Sequence, residues 1–213
     1  MQSPSDFQFV PKRGRPSKKQ AEAIDRTILA SAARLFFEAG SFETLSMDTV
    51  AIVSGVSKGT LYARYPTKKD LLVAVVLAKI AEWAREPVST ASCAPNDVVG
   101  RLRVHARNLA ISYANPEVQA LNRVIMSTGG RIPEISNALV EHGFVHTVNQ
   151  IAADLESIAG KNYRDAKAIA TAVASAIIGR QSQYSLMNEA TTRGLVEFAD
   201  RLVEIMVLGE ESW

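Results

Sequence analysis

The stretch SMDTVAIVSGVSKGTLYARYPTKKDLL, residues 46–72, decides how the rest of the chain is interpreted. Ser46 is a good N-cap, and a short apolar stripe follows it at helical spacing: Met47, Val50, Ala51 and Val53. Gly55 then allows the positive φ of a sharp turn. Val56 is predicted to pack in the core between the two helices, and Ser57 is a second N-cap. Two short helices joined by a glycine-containing turn are typical of a helix-turn-helix unit.

The second of these helices carries side chains that suit nucleic acid. Leu61 is predicted to face inward, and four polar side chains are predicted to project outward: Lys58, Thr60, Tyr62 and Arg64. Cations, hydroxyls and a phenol fit phosphate oxygens and base edges in the major groove. Gly59 allows a close approach to DNA. The plainer alternative is an ordinary helix pair with a solvated face.

The same residues resemble the signature of the TetR family of transcriptional regulators, roughly I-A-x-x-A-G-V-S-x-G-x-L-Y-x-H-F-x-S-K-x-x-L. The residues that fall on it are Val50, Ala51, Gly55, Val56, Ser57, Gly59, Thr60, Leu61, Tyr62, Lys68 and Leu71. The departures are Ser54 for Ala, Arg64 for His, Tyr65 for Phe, and Pro66. The specific match covers about residues 20–72, and beyond them the resemblance is architectural.

The resemblance implies a set of DNA-binding residues in this stretch. They are Ser46, Ser57, Lys58, Gly59, Thr60, Tyr62, Arg64, Tyr65 and Lys68. Lysines in the first turn of a helix oppose its dipole, so a phosphate contact gives Lys68 a reason to be there.

A basic arm precedes this unit. Residues 1–17 lack helical periodicity and are predicted to be flexible. The core RGRP, with Arg13 and Arg15, looks like an AT-hook, whose extended arginines fit a narrow A·T-rich minor groove. The alternative is a solubilising tail. Residues 1–70 hold 11 Lys and Arg against seven Asp and Glu, which supports a nucleic-acid-binding N-terminal part.

The other sequence features favour a cytoplasmic protein, and we predict no cofactor. The 213 residues include one cysteine, Cys93, so no intramolecular disulfide is possible. No signal peptide is visible. The longest apolar run, 71–78, is far short of the ~18 residues that indicate a membrane span.

Apolar periodicity predicts helices along the whole chain and no strands, hence an all-α fold of about nine helices. After the helix-turn-helix unit and a first helix over 18–39, the predicted helices are 67–85, 97–114, 117–127, 133–159, 165–188 and 192–208. We therefore expect a flexible arm (1–17), a DNA-binding domain (18–66) and a helical ligand-binding and dimerisation domain (67–213).

The resemblance further implies a homodimer through the last two helices, a palindromic operator and a small-molecule effector. Dimerisation would form a four-helix bundle, although these helices could instead only cap the monomer core. Candidate pocket residues are Trp83, His105, Tyr113, Met126, Phe144, Val148 and Tyr184. They are apolar or aromatic with occasional polar tips, which favours an apolar or aromatic effector. Each of them could equally be ordinary core.

Two rival functions follow from the same sequence. His142 and His146 are spaced i, i+4, but the segment HGFVH lacks the glutamate of a zinc-protease motif, so we predict no metal site and no enzyme. The other rival is a DNA-binding protein that does not repress, either an activator or an architectural protein that prefers A·T-rich DNA. A strong preference for a palindrome over random DNA separates a repressor from an architectural protein.

Overall fold

In a computed structural model the chain is a bundle of helices, described for residues 17–83, 88–94, 96–158, 165–187 and 191–208. In chain order the elements are α1 (Lys18–Ala39), α2 (Met47–Ser54), α3 (Lys58–Arg64), α4 (Lys68–Trp83), α5 (Val98–Ala114), α6 (Pro116–Ser127), α7 (Pro133–Ala138), a π-helical segment (Leu139–Val145), α8 (His146–Glu156), α9 (Ala166–Met187) and α10 (Thr192–Leu208). Because α7, the π segment and α8 run on without a break, these ranges contain nine helical rods. They contain no strand, and the all-α prediction is confirmed.

Serine caps and left-handed glycines set the boundaries of the first three helices. The hydroxyls of Ser46 and Ser57 each accept a hydrogen bond from the backbone N–H three residues later, at 3.1 and 3.0 Å. Gly40 and Gly55 end α1 and α2 with φ of 64° and 67°, a conformation that side chains with a Cβ adopt rarely. The sequence predicts these boundaries because serine caps and glycine stops are local signals.

The inner face of α2 differs from the prediction at one position. Val53 is 38% exposed, whereas Ser54 is buried beside Val50 and Ala51. A buried serine is tolerated here because its Oγ donates a hydrogen bond to the Val50 carbonyl at 2.6 Å. The buried stripe of α2 therefore includes Ser54 in place of the adjacent Val53.

The predicted continuous α-helix over 133–159 is wrong between Leu139 and Val145, where the backbone is π-helical. The apolar residues of this stretch are spaced four apart from Ile135 to Leu139, five apart from Leu139 to Phe144, and four apart again from Phe144 to Val148. A π turn accommodates a five-residue step, because its hydrogen bonds span i to i+5. Residue 159, the predicted end of this helix, lies outside the described residues.

The buried side chains form two separate hydrophobic cores. The first, which we call the N core, contains residues of α1–α4 and also Leu121, Val124, Ile125, Ile132, Ile135 and Ala138 from α6, α7 and the turn between them. The second, the C core, contains residues of α5 and α8–α10, among them Leu102, Leu109, Ile151, Leu155, Ile177 and Leu195. Thus α6 and α7 pack with the helix-turn-helix unit, and the π segment connects the two cores.

Polar contacts reinforce the packing of α6 and α7 on the N-terminal helices. Three of them are Phe42 N–H to Ser127 Oγ at 2.8 Å, Arg131 to Glu43 at 2.8 Å, and Lys69 to Glu134 at 2.6 Å. The hydrogen bond to Lys69 lowers the pKa of Glu134. The turn between α6 and α7 is therefore attached directly to the segment that precedes α2 and to the start of α4.

Candidate DNA-binding surface

The recognition helix α3 is held by one buried anchor. Leu61 is fully buried in the N core, together with Val50 and Ala51 of α2. Val56, in the turn between the two helices, packs against the same core. Because α3 is only seven residues long, its stability and orientation depend on this packing and on its N-cap more than on its own helix propensity.

The outward face of α3 presents Lys58, Gly59 and Tyr62. All three are exposed, and the Tyr62 side chain retains 43% of its accessible surface. Thr60 is partly buried, and its backbone N–H and hydroxyl are both engaged with Ser57. Lysine and a phenol beside a glycine form a surface that can approach a phosphate backbone and base edges.

Lys58 has an internal partner on α2. Its Nζ lies 2.6 Å from Asp48 Oδ2, and both side chains are more than half exposed. The hydrogen bond to Asp48 raises the pKa of Lys58, so the ammonium group stays charged. An exposed pair of this kind is weak in water, and a DNA phosphate can replace the carboxylate.

Arg64, which was predicted to project outward, and Tyr65, a predicted DNA-binding residue, do not lie on the outward face of α3. Arg64 pairs with Asp25 of α1 at 2.5 Å, and its side chain is only 21% exposed. The Tyr65 hydroxyl donates a hydrogen bond to the same Asp25 oxygen at 3.3 Å. Burial, followed by the charge of Asp25, raises the pKa of Tyr65 to about 12.

The remaining predicted DNA-binding residues surround the helix pair. Lys68 donates a hydrogen bond to the Glu43 carbonyl at 3.2 Å and lies 4.5 Å above the Phe42 ring centroid. Ser46 is an exposed cap of α2, as Ser57 is of α3. The predicted minor-groove residues Arg13 and Arg15 lie outside the described residues.

The seven candidate pocket residues are divided between the two cores and the surface. Trp83 packs on the N core, whereas Tyr113, Phe144, Val148 and Tyr184 belong to the C core. Met126 belongs to neither core, because 78% of its surface is exposed. The buried face of α6 contains Leu121, Val124 and Ile125, and Met126 lies one residue beyond it.

His105 is a buried member of a polar network in the C core. Its Nε2 lies 3.1 Å from Asp154 Oδ2, while Arg101 contacts Asp154 Oδ1 at 2.6 Å. The hydroxyl of Thr90 donates to the same carboxylate at 3.1 Å. Because the carboxylate has three partners, His105 has a structural role here whether or not a ligand reaches it.

A groove of about 400 Å³ lies between α4 and the π segment. Its lining residues are Leu77, Ile80, Ala81, Glu141, His142 and His146. The α4 side is apolar and the opposite side carries a carboxylate and two imidazoles. The two histidines singled out by their spacing thus border a cavity whose volume suits a small molecule.

Two acidic residues with a direct effect on the recognition helix were not predicted from the sequence. Asp25 and Asp48 contact its basic side chains, Arg64 and Lys58 respectively. A partial signal exists for Asp25, which follows Ile24 and so lies at the edge of the apolar stripe of α1. The pairing itself depends on how α1 packs against α3.

Within the described ranges, no group of three or more His, Cys, Asp and Glu side chains is arranged to hold a metal ion. None of the helices, over the residues described, is both long enough and apolar enough to cross a membrane.

Comparison with known proteins agrees with this geometry. The family model for bacterial regulatory proteins of the tetR family matches residues 28–75, and none of the curated proteins matches the chain. A solved structure described as a TetR-family transcriptional regulator from Mesorhizobium loti MAFF303099 is similar, with a TM-score of 0.72, 20% identity, and coverage of 91% of this chain and 98% of that one.

Two further solved structures share the fold. The flavonoid-responsive regulator FrrA has a TM-score of 0.68 and 22% identity over 89% of this chain and 97% of its own. Salmonella enterica GusR has a TM-score of 0.59 and 21% identity over 90% and 100%. At such identities the likeness shows the fold alone, whereas the family match covers α2, the turn and α3 themselves. That match, on a helix-turn-helix of this geometry, identifies residues 28–75 as a DNA-binding domain of the kind found in bacterial regulatory proteins of the tetR family.

Proposed function

We propose that the protein is a homodimeric repressor that acts in the cytoplasm on a palindromic operator and is released from it by a small apolar or aromatic effector. The observation that carries the proposal is the outward face of α3, where Lys58, Gly59 and Tyr62 are exposed over a buried Leu61. One such helix contacts few bases, and two related by a two-fold axis read both halves of a palindrome.

The exposed side of α9 supports dimerisation through the last two helices. Small side chains at helical spacing line it: Ala168, Ala172, Ser175, Gly179 and Ser182. Small residues allow two helices to approach closely, so this face suits a second copy of the chain. Ser175→Arg is expected to convert the dimer to monomer in analytical ultracentrifugation, whereas Ala153→Arg, at another exposed position, on α8, leaves the dimer intact.

The groove between α4 and the π segment is the proposed effector site. Leu77 and Ile80 offer an apolar wall, and His142 and His146 offer hydrogen-bonding groups, which together suit an aromatic ring bearing hydroxyls. FrrA, which shares the fold, is described as flavonoid-responsive. A ligand that binds better when α4 is displaced shifts the equilibrium away from DNA, and every ~1.4 kcal/mol of coupling changes operator affinity tenfold.

The deciding experiment is a binding titration of the purified protein against its own upstream DNA and a scrambled duplex, followed by footprinting. A protected palindrome held far more tightly than the scrambled duplex is the expected result. Equal binding to both duplexes, with a preference for A·T-rich sequence, would instead favour the architectural alternative. A reporter gene behind the footprinted site then separates repression from activation.

One substitution tests the outward face directly. Tyr62→Ala is expected to weaken operator binding about tenfold without changing the melting temperature, because the ring is 43% exposed and contributes little to the core. Val140→Ala removes another exposed apolar side chain, in the π segment, and serves as the control. Unchanged operator binding by Tyr62→Ala would remove Tyr62 from the DNA contacts.

A further inference from the structure

Asp25 of α1 contacts the recognition helix at its C-terminal end. One carboxylate oxygen, Oδ1, lies 2.5 Å from Arg64 Nη1 and accepts a hydrogen bond from the Tyr65 hydroxyl at 3.3 Å. The N-terminal end of α3 is held separately, by the Ser57 cap. The short helix is therefore fixed at both ends and anchored by Leu61 between them.

Helical spacing explains why Arg64 points toward α1. Arg64 and Tyr65 follow the fully buried Leu61 by three and four residues, which places them on its side of the helix. The Arg64 side chain is 21% exposed, against 61% for Lys58 on the outward face. A guanidinium in this position already has an anionic partner, and a phosphate could bind it only after the contact with Asp25 is broken.

We propose that Asp25 is a positioning residue for DNA recognition, which sets the pose of α3 through Arg64 and Tyr65, and that Arg64 itself makes no phosphate contact in the DNA complex. The inference rests on the assignment as a DNA-binding regulator and is independent of repression or of any effector. It reassigns Arg64, whose type and place on the recognition helix favour a DNA contact, to the support of that helix.

Lys58 supplies the matched comparison for Arg64. Both are cations of the same helix, and each has one carboxylate partner, Asp48 for Lys58 and Asp25 for Arg64. The Lys58 pair is exposed on both sides, so its ammonium group is free to exchange Asp48 for a phosphate. The Arg64 pair is half-buried and faces α1. The two cations should therefore differ in how they affect the salt dependence of DNA binding.

The first test measures the slope of log K against log salt concentration on a scrambled duplex, so that no operator is needed. Lys58→Gln is expected to reduce the slope by about 0.9 for each chain bound, the value for one lost phosphate contact. Arg64→Gln is expected to leave the slope at its wild-type value. A reduction by Arg64→Gln as large as that by Lys58→Gln would overturn the proposal.

The second test asks whether Asp25 and Arg64 act as one unit in recognition. The probe is the duplex that the wild-type protein enriches most from a random-sequence library. Asp25→Asn and Arg64→Gln are each expected to lower affinity for that duplex about fivefold relative to the scrambled duplex, and the double variant to lose no more than the worse single variant. Glu22→Gln, which removes a charge from the exposed face of α1, is the control and should change neither affinity.

Two further measurements separate positioning from stability alone. Melting curves establish that each variant is folded at the assay temperature. Tyr65→Phe keeps the ring but removes its hydrogen bond to Asp25, and it should lower the ratio of the affinity for the enriched duplex to that for the scrambled duplex about twofold. A purely structural role would lower the melting temperature and leave the ratio of the two affinities unchanged in the folded protein. Additive losses in the double variant, or an unchanged ratio in Asp25→Asn, would also refute the proposal.

Discussion

The N core and the C core are built from different side chains. Among the described residues, four of the 20 buried in the N core are alanines, against eight of the 18 in the C core. The N core also contains Phe36, the largest fully buried side chain, which stacks on Phe42 with ring centroids 6.5 Å apart. The N core is therefore filled by large interdigitating side chains, whereas the helices of the C core approach one another over small ones.

The polar groups in the two cores differ as well. In the N core, Ser54 and Thr128 are buried, and each donates a hydrogen bond to a backbone carbonyl of the preceding helical turn. The C core instead holds the Asp154 network, and the Nε of Arg101 has no partner within the described residues. A core whose buried hydroxyls bond locally suits a rigid platform for α3, and a core with a polar network has more ways to rearrange.

The largest expected effect comes from the centre of the N core. Phe36→Ala should lower the free energy of unfolding by about 3–5 kcal/mol, because the ring is fully buried and the cavity left behind cannot close. Urea denaturation followed by circular dichroism measures this loss. A cost below about 1 kcal/mol would mean that the N core can collapse around the gap and is not the rigid platform inferred from its packing.

The polar network of the C core should give the next largest effect. Asp154→Asn leaves Arg101 without its anionic partner, and we expect a loss of about 2–3 kcal/mol, below the figure for a fully buried pair because both side chains are about one-fifth exposed. Glu197→Gln breaks the exposed pair with Arg193 and should cost less than about 0.5 kcal/mol. Equal losses in the two variants would show that the Asp154 network is as weak as a surface pair.

The helices themselves could be predicted from the sequence because their signals are local. Ser46, Gly55 and Ser57 fix the bounds of α2 and α3 through caps and a left-handed turn, and the structure agrees at each of them. The five-residue step to Phe144 is equally local, although only the structure made its meaning clear. Which core each helix joins could not be predicted, because α6 and α7 show the same apolar periodicity as the helices of the C core.

Part of the candidate DNA-binding surface could also be predicted, because the exposure of some of its side chains follows from local helical spacing. Gly59 and Tyr62 are exposed, as helical spacing around Leu61 predicts, and Lys58 is exposed as the first residue of α3. The orientation of Arg64 depends on Asp25, which is 39 residues away in sequence, and no periodicity within α3 reveals it. The groove was missed because one wall comes from α4 and the other from the π segment and the start of α8, which meet only in the folded chain.

The burial of the Tyr65 phenol beside Asp25 predicts a pH dependence at the edge of the N core. The folded-state pKa of Tyr65 is raised from 10 to about 12, so the folded protein holds this proton more tightly than the unfolded chain. Its contribution to stability is complete below pH 10 and is lost as the pH rises through about 12. We expect about 1 kcal/mol at most, since the phenol is partly exposed and solvent screens it.

The comparison of wild type with Tyr65→Phe isolates this contribution from the lysines that titrate in the same range. The difference in unfolding free energy between the two proteins should narrow as the pH rises from 10 to about 12, measured by urea denaturation. Tyr113 of the C core provides the contrast. Burial alone raises the pKa of Tyr113, and no carboxylate contributes to that shift. If Tyr113→Phe and Tyr65→Phe gave identical pH profiles, burial rather than Asp25 would account for both.

The smallest expected effect concerns the junction between the cores. Gly143 lies in the π segment without a positive φ, and a Cβ added there meets no atom within 4 Å. Gly143→Ala should therefore raise the free energy of unfolding by about 0.5–1 kcal/mol, mainly by restricting the unfolded chain, and raise the melting temperature by roughly 1–4 °C. Gly129, in the turn after α6, has equally open surroundings but a φ of 58°, so Gly129→Ala should cost about 1 kcal/mol. Destabilisation by Gly143→Ala as well would mean that the five-residue step needs glycine, and that the junction is set by the backbone of the π segment rather than by the packing of the cores on either side.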